Sequence, residues 1–373
     1  MMESWNSGSA SKGRIAIGLS GGVDSTFCSL MLRDEGYEVI GVTLLMQPAK
    51  DLHAQQACGG SDSVSVAAAA AAQLGIKHVV RDCRVPFERE VIRPCWETFS
   101  SGGTPNPCIR CNPRVKFAGL LDAAREEGCT LIATGHYARL LSDAQQRPRI
   151  YRGTDPNKDQ SYFLYGLSEE LRKMLRFPLG GMTKPEVRAR AQAYGLVNAS
   201  RAESQDVCFA DSGEHVAEFL RKKYDGKTIP GSIVDETGKV LGHHDGIHQY
   251  TIGQRRGLKV ATGERAKIVS IDATTGTIVI SSRPDAVMGS ACTANDFLWQ
   301  CEPPPPGTAL MAQVRYRQKP VSAILEKQEA DHVSVRFAEP VFGITPGQSL
   351  VLYDGDCLLG GGIISSGLGP ATT

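Results

Sequence analysis

Apolar and polar positions along the first half of the chain follow two different periods. Short apolar runs rich in β-branched residues predict strands, and apolar residues spaced three and four positions apart predict helices. The predicted strands are residues 14–19, 38–45, 78–80 and 130–134, and the predicted helices are residues 24–35, 63–74, 86–100 and 115–127. Strands separated by helices of this length predict an α/β domain with a doubly wound parallel sheet.

The pattern changes twice further along the chain. Residues 158–223 carry mostly helical spacing, and from residue 226 short alternating runs are separated by Gly, Asp and Thr turns. The pattern from residue 226 onward predicts a β-rich region built as small barrels. We therefore predict three domains: an α/β domain at residues 1–225 that becomes mostly helical from about 158, a central β-rich domain at 226–290, and a C-terminal β-barrel domain at 291–373.

Composition and charge narrow the class of protein. The 373 residues are 41% hydrophobic and 22% charged, which is typical of a globular protein. The net charge is +1, so any contact with nucleic acid must come from local basic patches. The N-terminal segment lacks the apolar core of a signal peptide, and no run of about 18 apolar residues predicts a membrane span. The 11 cysteines are spread along the chain, so we expect a cytoplasmic protein with reduced thiols and no membrane partner.

The most specific local motif lies between the first predicted strand and the first predicted helix. Residues 18–25 read Gly-Leu-Ser-Gly-Gly-Val-Asp-Ser. Adjacent glycines let backbone N–H groups approach an anion closely, and a helix N-terminus attracts phosphate. Ser20 and Ser25 add hydroxyl donors, whereas the negatively charged Asp24 suits either a Mg²⁺ ligand or a helix cap. The segment therefore predicts a phosphate-binding loop.

Cysteine spacing marks a second candidate site. Two prolines make residues 104–107 a stiff extended segment, and Cys108 and Cys111 follow it with Cys-x-x-Cys spacing. Such a pair suits redox exchange, a metal ion or an iron–sulfur cluster, although zinc is disfavoured because the chain has no second Cys-x-x-Cys. Cys208, taken alone, is typical of a buried structural cysteine.

Residues 18–25 and 104–112, together with five further segments, resemble the tRNA-specific 2-thiouridylases, a family of PP-loop ATP pyrophosphatases. The further segments are residues 133–139, 158–164, 203–209, 250–257 and 314–317. The resemblance covers nearly the whole chain. It implies that the protein uses ATP, with Mg²⁺, to adenylate the C2 oxygen of a wobble uridine in tRNA. Sulfur then replaces that oxygen, and AMP and pyrophosphate are released.

The resemblance also implies roles for individual positions. Cys111 matches the catalytic cysteine beside the target base, and Cys208 matches the cysteine that carries sulfur as a persulfide. The positions that match the ATP site are Gly18, Leu19, Ser20, Gly21, Gly22, Val23, Asp24, Ser25, Leu44 and Gly135, although many relatives carry Met in place of Leu44. The positions that match tRNA contacts are Asn106, Pro107, Cys108, His136, Lys158, Asp159, Gln160, Arg315, Tyr316 and Gln348. The expected partners are tRNA and a sulfur donor, either a relay protein or a cysteine desulfurase.

One position departs from the family pattern. Many relatives have Asp where this chain has Cys108, so Cys108, Cys111 and Cys208 provide three thiols. Three cysteines are the ligand set that a [4Fe–4S] cluster with one open iron needs. Two routes stay open: a cluster that carries sulfide, or a persulfide on Cys208 that Cys111 resolves, leaving a disulfide bond for reduction.

Two other functions stay open as alternatives. Another PP-loop enzyme, such as a 4-thiouridine synthetase, a lysidine synthetase or an amidating synthetase, would share the phosphate loop. A lysidine synthetase would not need the paired cysteine segments, and a glutamine amidotransferase would need a glutaminase domain that the sequence does not contain. A non-catalytic RNA-binding protein with a vestigial nucleotide loop is the alternative from a different class.

Overall fold

The chain forms two compact units. The structure is a computed structural model that describes residues 12–47, 61–201, 208–209, 216–261 and 263–368. The first unit is drawn from Met1–Pro86, Pro113–Ser161 and Ser168–Phe209, and the second from Phe87–Asn112, Tyr162–Leu167 and Ala210–Thr373. Within the described ranges, no helix is long and apolar enough to cross a membrane. The cytoplasmic location and the domain boundaries expected from the sequence stay predictions.

The first unit is built around a parallel sheet. Its strands are β1 (Arg14–Gly18), β2 (Glu38–Leu45), β3 (Lys77–Asp82), β4 (Leu131–Ala133), β5 (Ala138–Ser142), β6 (Pro148–Arg152) and β7 (Leu175–Arg176). Five of them pair in the parallel order β3-β2-β1-β4-β7, and β5 pairs antiparallel with β6 as a hairpin that the sequence pattern did not predict. Because β1 lies between β2 and β4, the strand order reverses at β1, and ligands of such sheets bind beyond the carboxyl ends of the strands at that point.

Nine α-helices lie within the described residues. They are α1 (Val23–Asp34), α2 (Ser61–Leu74), α3 (Arg84–Phe87), α4 (Arg93–Ser100), α5 (Pro107–Cys111), α6 (Phe117–Glu126), α7 (Glu169–Met174), α8 (Lys184–Ala193) and α9 (Val216–Lys223). In the first unit, Phe27 and Leu30 of α1 pack in one core with Ile15 and Ile17 of β1, as their helical spacing predicts.

Two π-helical turns lie at predicted helices: one interrupts the helix predicted at residues 86–100, and the other overlaps the start of the helix predicted at residues 115–127. The turns are Glu88–Ile92 and Asn112–Lys116. Pro94 follows the first turn, and Pro113 lies within the second. A proline lacks the N–H that the α-helical ladder needs, so the backbone locally adopts a wider turn.

The second unit is mostly β-structure. Its strands are β8 (Gly231–Val234), β9 (Val240–His244), β10 (Lys267–Asp272), β11 (Thr277–Ser281), β12 (Met288–Trp299), β13 (Ala309–Gln313), β14 (Val321–Glu329), β15 (His332–Phe342), β16 (Ser349–Asp354) and β17 (Cys357–Leu368). Strands β8 to β11 form one four-stranded sheet. Strands β12-β15-β14-β13-β16-β17 form an antiparallel barrel that the β12–β17 pairing closes. The predicted α/β fold with C-terminal β-barrel structure is confirmed.

Strand β17 was not predicted from the sequence, because its three successive glycines interrupt the alternation of apolar and polar residues. A Cβ on Gly360 would lie 2.5 Å from the Leu298 carbonyl oxygen, and one on Gly362 would lie 2.7 Å from the Asn295 carbonyl oxygen. The glycines therefore let β17 approach β12 closely enough to close the barrel.

Candidate active site

Hydrogen bonds between its own polar groups hold the loop between β1 and α1 in shape. Gly21 has φ +76°, a left-handed conformation that glycine adopts without a side-chain clash. The Ser20 N–H donates to Ser25 Oγ at 3.1 Å, and Ser25 Oγ donates to the Gly22 carbonyl at 3.0 Å. A strand, a glycine turn and a helix N-terminus in this order form a cradle suited to phosphate.

Asp24 occupies neither of the two roles that the sequence left open. The N-cap of α1 is Gly22, and no side chain caps the helix, so the capping alternative is wrong. Lys184 Nζ donates to both Asp24 carboxylate oxygens at 2.7 Å, and the Tyr137 hydroxyl donates to one of them at 2.9 Å. Because an ammonium group engages both oxygens, Asp24 does not fit the role of a Mg²⁺ ligand in this arrangement.

Sequence reasoning missed Lys184, although the sequence carried a signal. Lys184 is the first residue of α8, and its side chain is 8% exposed. A helix dipole disfavours a cation at the N-terminus, so a lysine there indicates a specific anionic partner. The capping box of Thr183 and Glu186 fixes the start of this helix, and the helix start in turn places Lys184 within reach of Asp24.

The other predicted ATP-site positions lie at the same edge of the sheet. A Cβ on Gly135, after β4, would lie 3.2 Å from the Ser25 nitrogen, so any side chain there would require the first turn of α1 to shift slightly. The Leu19 N–H donates to the Val42 carbonyl at 2.8 Å, and Leu44 is two residues further along β2. The structure thus brings these positions together, and their role in binding ATP stays a prediction.

Cys208 is held near the carboxyl end of β2. The Gln47 side-chain amide donates to the Cys208 carbonyl, and Gln47 is 6% exposed. Cys208 itself is partly exposed, so the expectation that it is a buried structural cysteine is wrong. Gln47 could not be predicted from the sequence pattern because its partner is 161 positions away.

His136, a predicted tRNA contact, is a neutral residue packed between aromatic rings. Its ring lies 5.7 Å from that of Phe117 and 6.0 Å from that of Phe177, and Nδ1 is 2.8 Å from Thr134 Oγ1. Burial, with a smaller effect from Lys116, lowers the pKa of His136 to about 3. A neutral imidazole offers no charge to a phosphate group.

Asp159 and Gln160, also predicted tRNA contacts, hold neighbouring backbone in place. Asp159 is 8% exposed and accepts hydrogen bonds from Arg152 Nε and the Gly153 N–H, both at 2.9 Å. Gln160 Oε1 accepts from the Tyr137 N–H at 3.0 Å. Lys158 is half-buried beside them. The contacts that the structure gives Asp159 and Gln160 are structural, and their contact with tRNA stays a prediction.

The Cys-x-x-Cys pair lies on the short helix α5 in the second unit. Pro107 occupies the first turn after the N-cap residue Asn106, Cys108 is partly exposed, and Cys111 is buried. Arg110 Nε donates to the Glu90 carbonyl at 2.9 Å, which ties the helix to the preceding π-helical turn. The more accessible thiol is therefore the one that replaces the family's aspartate.

Gln348, a further predicted tRNA contact, supports the segment that leads into α5. Its amide donates to the Thr104 carbonyl at 3.0 Å and to the Pro105 carbonyl at 3.2 Å. The Thr104 N–H donates to the Pro346 carbonyl at 3.0 Å. Residues 346–348 thus fix the extended course that the two prolines predict.

Arg315 and Tyr316 lie beside an aromatic cluster of the second unit. Arg315 donates to Thr345 Oγ1 at 2.5 Å, and burial lowers the pKa of its guanidinium. The Tyr316 ring lies 4.3 Å from that of Phe163 and 6.2 Å from that of Tyr162. Sequence reasoning named Tyr316 and missed the two rings that pack against it.

The structure gives no support to the cluster hypothesis. Among the described residues, which include Cys108, Cys111 and Cys208, no group of three or more His, Cys, Asp or Glu side chains is arranged to hold a metal ion. None of the described cysteines is joined in a disulfide.

A parallel sheet with a glycine phosphate loop at its switch point defines a nucleotide-binding α/β protein, here extended by β-barrel structure. Residues 13–212 match the family model of a tRNA methyl transferase HUP domain, residues 217–282 a tRNA methyl transferase PRC-barrel domain, and residues 289–364 an aminomethyltransferase beta-barrel domain.

The similarity to known proteins extends over nearly the whole chain. The tRNA-specific 2-thiouridylase MnmA of Nostoc punctiforme is 44% identical over 355 residues, covering 94% of this chain and 98% of the relative. The tRNA-specific 2-thiouridylase MnmA of Geotalea uraniireducens is 40% identical over 366 residues, covering 96% of each. The chain belongs to the tRNA-specific 2-thiouridylase family.

Proposed function

We propose that the protein is a tRNA uridine 2-sulfurtransferase that activates the C2 oxygen of a wobble uridine with ATP and replaces it with sulfur. The observation that carries the proposal is the 44% identity to a named 2-thiouridylase over 94% of the chain. The phosphate loop at the sheet's switch point and the partly exposed Cys108 and Cys208 support it.

The first chemical step is adenylation. Uridine O2 attacks the α-phosphorus of ATP, the bond to the β-phosphate oxygen breaks, and pyrophosphate leaves. The N–H groups of the loop at residues 19–22 and the hydroxyls of Ser20 and Ser25 stabilise charge that develops on the phosphates. Mg²⁺ accompanies ATP as the counter-ion of its phosphates, and we assign no loop carboxylate to it.

The second step transfers sulfur. The terminal sulfur of a persulfide on Cys208 attacks C2, and the adenylated oxygen leaves as AMP. The Cys111 thiolate then attacks the inner sulfur of Cys208, so the outer sulfur stays on C2 and a Cys111–Cys208 disulfide forms. An external dithiol reduces that disulfide, and a sulfur donor reloads Cys208.

Recognition of the base requires an unstacked uridine, because its C2 is not accessible within a stacked anticodon. Tyr316 and Phe163 are both partly exposed and pack together. We assign this aromatic pair to stacking with an unstacked nucleotide, an interaction typically worth about 1–3 kcal/mol per base.

The proposal is tested with the purified full chain, unmodified tRNA, ATP and a persulfide donor. We expect 2-thiouridine at the wobble position by nucleoside mass spectrometry, and pyrophosphate release that depends on tRNA. Sulfur at C4 would identify a 4-thiouridine enzyme, and tRNA binding without pyrophosphate release would identify a non-catalytic binder. Full activity of an anaerobically purified sample without iron would reject the cluster route.

Gln47→Leu is expected to slow sulfur transfer without affecting adenylation. Leucine keeps the size of the side chain but cannot donate to the Cys208 carbonyl, so the turn that carries Cys208 loses its anchor. We expect thiolation to slow about tenfold, equivalent to ~1.4 kcal/mol, with unchanged tRNA-dependent pyrophosphate release. Gln192→Leu, at an exposed position of α8, is the matched control. Equal thiolation rates in the two variants would contradict this role.

A further inference from the structure

The carbonyl of Gly21, in the middle of the phosphate loop, is held by two side chains from a distant segment. Asn198 Nδ2 donates to it at 2.9 Å and to Thr26 Oγ1 at 2.8 Å, while the Arg201 guanidinium donates to it at 3.4 Å. Asn198 is 3% exposed. The loop is therefore anchored from behind by a residue that belongs neither to the loop motif nor to α1.

Holding this carbonyl fixes the direction of a phosphate donor. A peptide unit is planar, and its C=O and the following N–H point in opposite directions. With the Gly21 carbonyl turned toward Asn198, the Gly22 N–H points to the other side, where it donates a long hydrogen bond to Ser20 Oγ at 3.4 Å. Gly22 is the N-cap of α1, and a helix N-terminus is a position that favours a bound anion.

The two polar atoms of the Asn198 side-chain amide differ in their hydrogen bonding. Both bonds of Nδ2 go to oxygen acceptors, which fixes the orientation of the amide. Asn198 Oδ1 is buried with no hydrogen-bond partner among the described residues. An unpaired buried acceptor is destabilising, because it loses its hydrogen bonds to water and gains none in the protein. An asparagine that served only to stabilise the fold would gain little from a buried Oδ1 acceptor without a partner. An asparagine that orients the loop needs only its Nδ2 donor.

We propose that Asn198 is a positioning residue that aims the Gly22 N–H at a phosphate group of bound ATP. Arg201 assists by engaging the same carbonyl and adding positive charge beside the loop. Asn198 acts through the Gly21–Gly22 peptide and does not contact the nucleotide. The inference rests on the proposed use of ATP and extends it to a residue outside the phosphate-loop motif.

The test compares Asn198, which bonds the phosphate loop, with Gln73, which bonds the backbone just before Asn198. Asn198→Ala removes both donated bonds. Gln73→Ala also removes two hydrogen bonds, to the Gly195 carbonyl at 2.7 Å and from the Val197 N–H at 3.0 Å, but neither of these bonds involves the loop at residues 19–22. Binding of ATP to the full chain is measured by calorimetry, together with the KM for ATP and kcat for tRNA-dependent pyrophosphate release.

We expect Asn198→Ala to raise the Kd and KM for ATP about tenfold, equivalent to ~1.4 kcal/mol, with kcat within about twofold of the wild type. Gln73→Ala should leave all three constants unchanged. Asn198→Asp keeps the shape of the side chain but replaces both donors, so it gives the same readout if the alanine variant does not fold. ATP affinity equal to wild type in a folded Asn198 variant overturns the inference. A wild-type protein that does not bind ATP overturns the proposed function as well.

Discussion

Lys184→Met is expected to lower kcat/KM for ATP about thirtyfold, equivalent to ~2 kcal/mol. Methionine has a similar length but leaves the Asp24 carboxylate without the ammonium group that bonds both its oxygens at 2.7 Å. The Asp24 side chain is only 30% exposed, so water compensates its charge incompletely. An uncompensated negative charge in the first turn of α1 repels the phosphates of ATP and opposes the attraction of the helix N-terminus.

A double-mutant cycle separates this charge effect from a loss of packing. Asp24→Asn combined with Lys184→Met removes both charges, so we expect the double variant to bind ATP more tightly than Lys184→Met alone. Calorimetric titration with ATP and steady-state kinetics give the two measurements. Additive losses in the cycle would show that the two side chains do not act as a charge pair.

Cys208→Ser is expected to abolish thiolation, by at least about 100-fold, while tRNA-dependent pyrophosphate release continues. Serine keeps the shape of the turn that Gln47 anchors, but its oxygen carries no persulfide sulfur. The adenylated tRNA then accumulates or is hydrolysed. Nucleoside mass spectrometry and a pyrophosphate assay performed on the same reaction separate the two steps.

The matched control for this experiment is Cys357→Ser. Cys357 is also partly exposed but lies at the start of β17 in the second unit. We expect it to thiolate at the wild-type rate. Thiolation retained in Cys208→Ser would contradict the persulfide role of Cys208, and loss of pyrophosphate release as well would place Cys208 in the adenylation step.

Local patterns predicted much of the first unit correctly. Strand β2 spans Glu38–Leu45, as its run of β-branched residues predicts, and the phosphate loop lies between a strand and a helix as the glycines indicate. These features depend on residues that are neighbours in the chain, so period and composition contain the necessary information. The α/β fold and the β-rich second part follow from the same patterns.

The contacts that complete the phosphate site depend on residues far apart in sequence. Lys184 is 160 positions from Asp24, and Asn198 is 177 positions from Gly21. A hydrophobic pattern indicates which face of a segment is buried, but it does not indicate which other segment packs there. The ion pair between Asp24 and Lys184 was not predicted for this reason, since the partner is not visible from the motif alone.

The contacts of the barrel region determine which parts of the protein can fold while it is still being synthesised. Strand β12 pairs with β17, and Gln348 holds the backbone of Thr104 and Pro105 from the opposite end of the chain. When the phosphate loop has left the ribosome, residue 348 has not yet been synthesised. The segment that leads to Cys108 and Cys111 therefore lacks the side chain that holds its backbone in place. The cysteine pair reaches its final environment only after residues 346–348 have been synthesised, so we expect assembly of this part of the enzyme to be largely post-translational.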